Sequence, residues 1–291
     1  MKIAFIGLGM MGRPMAERLL AHGFDVRVCD TNAALAEDFP EAWRATPREA
    51  AEDCELVVTM LPNGNIVSEV LTGSGGLLKG LKPGQIVVDC SSSDAAGTVA
   101  LGKQLASEGV VLVDAPVSGG VPLAKEGKLT LMVGGAEDAT FTKIVPVLDC
   151  LGARVMRVGG LGAGHAAKAI NMAIAACTMA ATCEGLAMGE RFGIDPEVLL
   201  DVINSSTGRS MVGETVVKNH ILTGTYAQGF ALALMAKDVA TADSMREHLG
   251  LTLPMLEKTH VQWDRALEAA APGADFSEIN KFIVTESGAN V

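Results

Sequence analysis

Lys168 and Asn171 stand three residues apart in GAGHAAKAINMAIAAC (Gly162–Cys177), a stretch otherwise made mostly of small or apolar residues. Such a composition predicts a closely buried helix, because alanine loses no side-chain entropy on helix formation and lets backbones approach. Positions i and i+3 share a helix face, so an ammonium and an amide point into the same space. A lysine near a helix start also opposes the helix dipole, which asks for a compensating role. The chemistry open to it is exchange of a hydroxyl proton and stabilisation of the oxyanion left behind. Burial favours that role, since a desolvated ammonium gives up its proton more readily.

A second group of residues points to a nucleotide. In IAFIGLGMMG, Gly7, Gly9 and Gly12 have GxGxxG spacing directly after a strand pattern and before a helix pattern. Gly7 suits the tight turn, Gly9 the approach of a pyrophosphate, and Gly12 close helix–strand packing. Leu8, Met10 and Met11 complete the turn, whose amides face the anion at a helix N-terminus. Asp30 closes the next strand, VRVCD. An aspartate there accepts hydrogen bonds from an adenine-ribose diol and repels a 2′-phosphate. No arginine follows it, and Arg27 lies inside the strand, so the expected cofactor is NAD rather than NADP. A third group, Ser118, Gly119 and Gly120, follows a strand ending at Asp114. It reads either as a nest of donors for a carboxylate or as an ordinary Ser-Gly-Gly turn.

These residues need a scaffold, and the first half of the chain alternates short apolar runs with helical stretches. Strands are expected at Lys2–Ile6, Asp25–Cys29, Leu56–Met60, Ile86–Asp89, Val111–Asp114, Thr130–Val133 and Arg154–Val158. That rhythm predicts a doubly wound, mostly parallel sheet of the Rossmann type over residues 1–161. After VGGLGAG the strand signal stops. Residues 162–291 are expected to form an all-α domain, joined through a long interdomain helix of about 42 Å at 1.5 Å per residue. Helices are expected at about Gly164–Phe192, Pro196–Ser205, Met211–Leu222, Ala231–Leu249, Leu253–Ala270 and Phe276–Ser287.

The 291 residues suffice for two domains, and a net charge of −11 without any basic run argues against nucleic acid as a partner. The six cysteines are scattered, with no metal-ligand spacing, so reduced thiols and no metal are expected. The apolar opening is too short for a signal peptide and reads as strand and turn. The most membrane-like run, Ala169–Ala181, is interrupted by Asn171 and Thr178. A soluble, cytoplasmic protein without a membrane partner is the expectation.

With these motifs in order, the chain resembles the β-hydroxyacid dehydrogenase family over essentially its whole length. The resemblance rests on GLGMMGRPMA (Gly7–Ala16), TMLPNG (Thr59–Gly64), DCSS (Asp89–Ser92), DAPVSGG (Asp114–Gly120), GAGHAAKAIN (Gly162–Asn171) and KD (Lys237–Asp238). It implies that Lys168 is the catalytic lysine and that Asn171 helps to hold the substrate. It implies further that Ser118, Gly119 and Gly120 bind the carboxylate of a small substrate, and that Lys237 contacts substrate and cofactor. Leu61, Pro62, Asn65 and Ser92 would line the cofactor groove. NSSTGRSM (Asn204–Met211) departs from the glycine-rich segment of the tartronate semialdehyde reductase branch. Within it, Arg209 either holds a second polar group of the substrate or is a solvated helix-start residue. His165 reads as a loop-to-helix residue rather than a base.

The expected activity is hydride transfer between NAD and a small 3-hydroxy acid, a 3-hydroxyisobutyrate-like hydroxycarboxylate. An NADPH-dependent semialdehyde or glyoxylate reductase of the same family is the alternative that Asp30 opposes. A non-catalytic scaffold is opposed by the presence of Lys168, Asn171 and Ser-Gly-Gly together. A homodimer or homotetramer is expected from the small, apolar surface of the helical half.

Overall fold

Five short apolar runs set the frame. In the computed structural model, which describes residues 1–288, they form β1 (Lys2–Ile6), β2 (Asp25–Cys29), β3 (Leu56–Thr59), β4 (Ile86–Asp89) and β5 (Val111–Asp114). These strands pair in parallel in the order β2-β1-β3-β4-β5. Side chains alternate across the sheet, so Ile3 and Phe5 enter one buried cluster while Ala4 and Ile6 enter the other. Helices α1 (Gly12–Ala21) and α6 (Asp138–Leu151) supply Met15, Leu19, Ile144 and Leu148 to the first cluster. Helices α3 (Gly64–Thr72) and α4 (Ala95–Ser107) cover the second with Val67, Leu71, Leu101 and Leu105. A five-residue helix, α2 (Pro47–Ala51), completes this side. Among the described residues, the outer edge of β2 carries one parallel bridge, Val28 to Trp43.

The far edge differs from the sequence reading. β6 (Val117–Ser118) and α5 (Gly120–Glu126) occupy the segment expected to be a loop. β7 (Leu129–Gly134) runs antiparallel to β5 and β6, pairing Asp114 with Gly134, Val117 with Leu131 and Ser118 with Thr130. That register is constant, so β6 continues β5 past Pro116. β8 (Gly152–Gly159) then pairs with β7 in parallel. A two-residue strand is too short to show alternation, which is why periodicity missed it.

Helix α7 (Ala163–Phe192) has 30 residues, and the division between the two compact units falls within it, after Lys168. Its buried residues Ala169, Ala173, Ala176, Ala180, Cys183 and Ala187 form a stripe at alternating spacings of four and three. By length and composition α7 could cross a membrane, although 56% of its most apolar window is buried within the fold.

In the second unit, α8 (Pro196–Asn204), α9 (Leu232–His248), α10 (Pro254–Ala269) and α11 (Ile279–Ser287) pack with α7 residues around a buried Trp263. Its indole donates to the Ala176 carbonyl at 3.3 Å and stacks on Phe276. The helix expected at Met211–Leu222 is a π-helix over Gly213–Ile221. All six cysteines are free thiols, and burial pushes Cys29 up to about 11.

Candidate active site

The carboxyl ends of β1, β3, β4 and β5 are in register at Ile6, Thr59, Asp89 and Asp114. Chain order reverses at β1, which lies between β2 and β3, and open α/β sheets bind ligands at such a crevice. The glycine turn leaves β1 there. Gly7 has φ +98°, and a Cβ on it would strike the Met60 carbonyl oxygen. A Cβ on Gly12 would overlap the Gly7 carbonyl oxygen. Gly9 is different, since a Cβ there meets none of the described residues within 4 Å beyond its chain neighbours. Protein packing therefore requires Gly7 and Gly12 but not Gly9, and the open space over Gly9 fits an approaching pyrophosphate. Beside it begins α1, whose N-terminus carries no side-chain cap. The Arg13 amide is turned back to the Gly9 carbonyl at 3.0 Å and Pro14 has no N–H, so the dipole end of the helix rather than a full set of free amides faces that space.

Asp30 does more than the sequence reading assigned to it. Its Oδ2 accepts the Leu8 amide at 2.6 Å, and its Oδ1 accepts the Asn32 amide at 2.8 Å. The carboxylate thereby ties the end of β2 to the glycine turn. Oδ1 also accepts the Thr31 hydroxyl at 3.4 Å, which leaves Oδ2 with a second lone pair for a ribose hydroxyl. Leu8, Gly9, Met10 and Asp30 line a depression of about 630 Å³ together with Arg13, Asn32, Val121 and Lys125. Val121 and Lys125 were missed because only the tertiary fold brings α5 beside the turn, whereas Arg13 and Asn32 adjoin the glycine turn and Asp30 in the chain itself. Arg13 is engaged by Glu17 at 2.8 Å and Asp38 at 2.9 Å.

Next along the edge, Leu61, Pro62 and Asn65 follow β3, and Ser92 follows β4. The Leu61 amide donates to Ser91 Oγ at 2.9 Å, which joins these two connections. Ser118 ends β6, and Gly119 and Gly120, with φ +138° and +70°, turn the chain into α5. Ser-Gly-Gly is thus a strand-to-helix junction rather than a free loop. Lys168 is half-buried on α7, one turn beyond His165. The first unit therefore gathers the glycine turn, Asp30, Leu61–Asn65, Ser92, Ser118–Gly120 and Lys168. Asn171, Lys237 and Arg209 belong to the second unit. Asn171 is exposed, and Lys237 pairs with the buried Asp238 at 3.0 Å. Arg209 is exposed and pairs with Glu214 at 2.6 Å. Among the described residues, no group of His, Cys, Asp or Glu is arranged to hold a metal ion.

A parallel sheet with a glycine turn at its switch point and an acid closing the next strand defines a nicotinamide-dinucleotide-binding oxidoreductase. Residues 2–160 match the family model described as the NAD binding domain of 6-phosphogluconate dehydrogenase. Residues 162–283 match the model for the NAD-binding region of NADP-dependent 3-hydroxyisobutyrate dehydrogenase. The chain is 40% identical to 2-(hydroxymethyl)glutarate dehydrogenase of Eubacterium barkeri over 259 residues, covering 87% of this chain and 85% of that protein. It is 34% identical to mitochondrial 3-hydroxyisobutyrate dehydrogenase of Mus musculus over 293 residues, 98% and 87% of the two chains. The solved structure of Mycobacterium tuberculosis 3-hydroxyisobutyrate dehydrogenase with L-serine aligns with a TM-score of 0.89 at 29% identity, over 97% and 98% of the chains. The protein belongs to the β-hydroxyacid dehydrogenase family. Its activity is NAD(P)-dependent oxidoreduction of a hydroxy acid.

The three glycines give a paired prediction. Gly9→Ala keeps its melting temperature, because its methyl meets none of the described residues beyond its chain neighbours, yet weakens nicotinamide-dinucleotide binding at least about tenfold. Gly12→Ala instead loses about 1–3 kcal/mol of stability, as expected when a methyl is forced onto backbone. Thermal melts and fluorescence titrations with NADH and NADPH read both outcomes. Equal behaviour of the two variants would overturn the assignment of Gly9.

Proposed function

We propose that this protein uses NAD to oxidise a small 3-hydroxy acid resembling 3-hydroxyisobutyrate, with Lys168 exchanging the hydroxyl proton. The reading is carried by one observation, that the dinucleotide turn and the lysine-bearing helix α7 are both anchored at the carboxyl edge of one sheet. A bound nicotinamide supplies the hydride acceptor. Lys168 in its neutral form takes the alcohol proton, and its ammonium then stands beside the oxygen on which negative charge develops. The Ser118–Gly120 junction offers a hydroxyl and backbone amides to the substrate carboxylate. Asn171, three residues beyond Lys168, orients the substrate, and Lys237 is a further contact. Arg209, held by Glu214, is left out of this site.

NAD is proposed over NADP because the Asp30 carboxylate opposes a 2′-phosphate, although the model matched by the second half is described as NADP-dependent. A preference of at least tenfold in kcat/KM is expected, about 1.4 kcal/mol. Asp30→Ala should narrow that gap while weakening NAD. Equal use of the two cofactors by the unaltered protein would sink the assignment.

Lys168→Ala is expected to lower kcat roughly 10²–10⁴-fold with NAD affinity nearly unchanged. Lys168→Arg should not restore the rate, since a guanidinium stays charged and has a different shape. Steady-state rates on a panel of short hydroxy acids check this. Retention of more than about a tenth of the wild-type kcat in Lys168→Ala would show that the lysine is structural.

We also propose self-association through α7. Ile170, Ile174, Met188 and Phe192 are 48%, 62%, 74% and 85% exposed. All four lie on one flank of the helix, because 18 residues make five whole turns. A second copy of the chain is the proposed cover for this stripe. Light scattering should show a dimer or tetramer at micromolar concentration. A 30.1 kDa species alone would refute it.

A further inference from the structure

Below the cofactor connections lies a buried polar cluster that the reaction as described does not use. His165, the third residue of α7, is 1% exposed. Its Nδ1 is 2.8 Å from Thr98 Oγ1, and its Nε2 is 3.1 Å from the Ser91 carbonyl oxygen. Asp89 Oδ2 lies 3.6 Å from Nε2, and Asp114 Oδ2 lies 3.9 Å from Nδ1. The Ser91 carbonyl can only accept from Nε2, while Thr98 Oγ1, which donates to the Asp94 carbonyl at 2.8 Å, also meets Nδ1. Both ring nitrogens are thus occupied inside the protein, and the imidazole is not a base for substrate.

Ser91 is the hinge of the cluster. Its Oγ accepts the Leu61 amide at 2.9 Å, and its own amide donates to Asp89 Oδ1 at 3.0 Å. One face of Ser91 therefore holds the connection after β3, and its carbonyl holds His165. The backbone at the start of α7 is fastened separately, with Asp114 accepting the Gly162 and His165 amides at 2.8 and 2.9 Å. Those two bonds fix where the helix begins. The close approach of Gly164 to the Met132 carbonyl holds the same turn against the sheet, and the imidazole is the side-chain hold nearest Lys168 on that turn. His165 and Lys168 lie about 60° apart around the helix, from 3.6 residues per turn. A rotation set at His165 is passed to Lys168 one turn on.

We propose that His165 is a positioning residue whose imidazole, clasped by Ser91 and Thr98, sets the rotation of the first turns of α7. It thereby directs the Lys168 ammonium relative to the Leu61 connection. The inference rests on the reading of Lys168 as the proton-exchanging group. It gives the cluster a catalytic consequence without contact between His165 and any reactant.

The test uses His165→Leu, His165→Gln, Lys168→Ala and the double variant His165→Leu/Lys168→Ala, assayed with 3-hydroxyisobutyrate and saturating NAD. His165→Leu should lower kcat between tenfold and a hundredfold, with KM and the NAD dissociation constant each within threefold of wild type. His165→Gln, whose amide can still donate to the Ser91 carbonyl, should keep at least a third of kcat. On the Lys168→Ala background, His165→Leu should cost less than a further threefold, because its effect acts through the lysine. If His165→Leu does not fold, Thr98→Val probes the same clasp through Nδ1 and should lower kcat threefold or more. A kcat within threefold of wild type in folded His165→Leu, or full additivity in the double variant, overturns the proposal. A Lys168→Ala variant with wild-type rate overturns the reading of Lys168 itself, and this inference with it.

Discussion

Two carboxylates, Asp89 and Asp114, sit side by side at the ends of neighbouring strands and are both buried. Taking such groups out of water costs several kcal/mol each unless donors surround them. Asp89 is met by Thr59, by the Ser91 amide and by Ser93, and Asp114 by the Gly162 and His165 amides. These donors come from the end of β3, the connection after β4 and the start of α7. Satisfying the two acids therefore dictates the path of each segment around the edge of the sheet. The residues that face the ligand ride on segments already fixed from below.

Helix α7 answers to two demands along its length. At its start it must come close to the sheet. A Cβ on Gly164 would collide with the Met132 carbonyl oxygen, and one on Gly162 would press on the Ala95 carbonyl at 2.9 Å. The small residues ahead of Lys168 are therefore a requirement of approach, and the alanines after it form the buried stripe of the second unit. A half-buried lysine between these stretches departs from the local pattern, and such departures mark sites more often than cores.

Much of this was legible in the residues. Unbroken runs such as IVVD mark strands covered on both faces, and the observed β1, β2, β4 and β5 have the expected bounds. The glycine spacing and Asp30 signalled the nucleotide end because each has a local physical reason. What was not legible depends on neighbours distant in sequence. The π-helix at Gly213–Ile221 keeps a helical apolar pattern, so periodicity alone reads it as an ordinary helix. Val121 and Lys125 join the glycine-turn depression only through the packing of α5. The anchoring of Leu8 by Asp30, and the clasp around His165, join residues 22 and 67 or more positions apart. No periodicity reports such pairs.

The unbroken register through Pro116 has a mechanical consequence. The Pro116 carbonyl accepts the Met132 amide at 3.1 Å, in step with the pairs on either side. Adding or removing one residue between Asp114 and Ser118 would turn the serine to the opposite side of the ribbon and displace it by about 3.3 Å. Two residues would restore the side but double the displacement. Length is therefore as binding as identity in DAPVSGG. The segment works as a ruler graduated in pleats, with Asp114 as its zero mark.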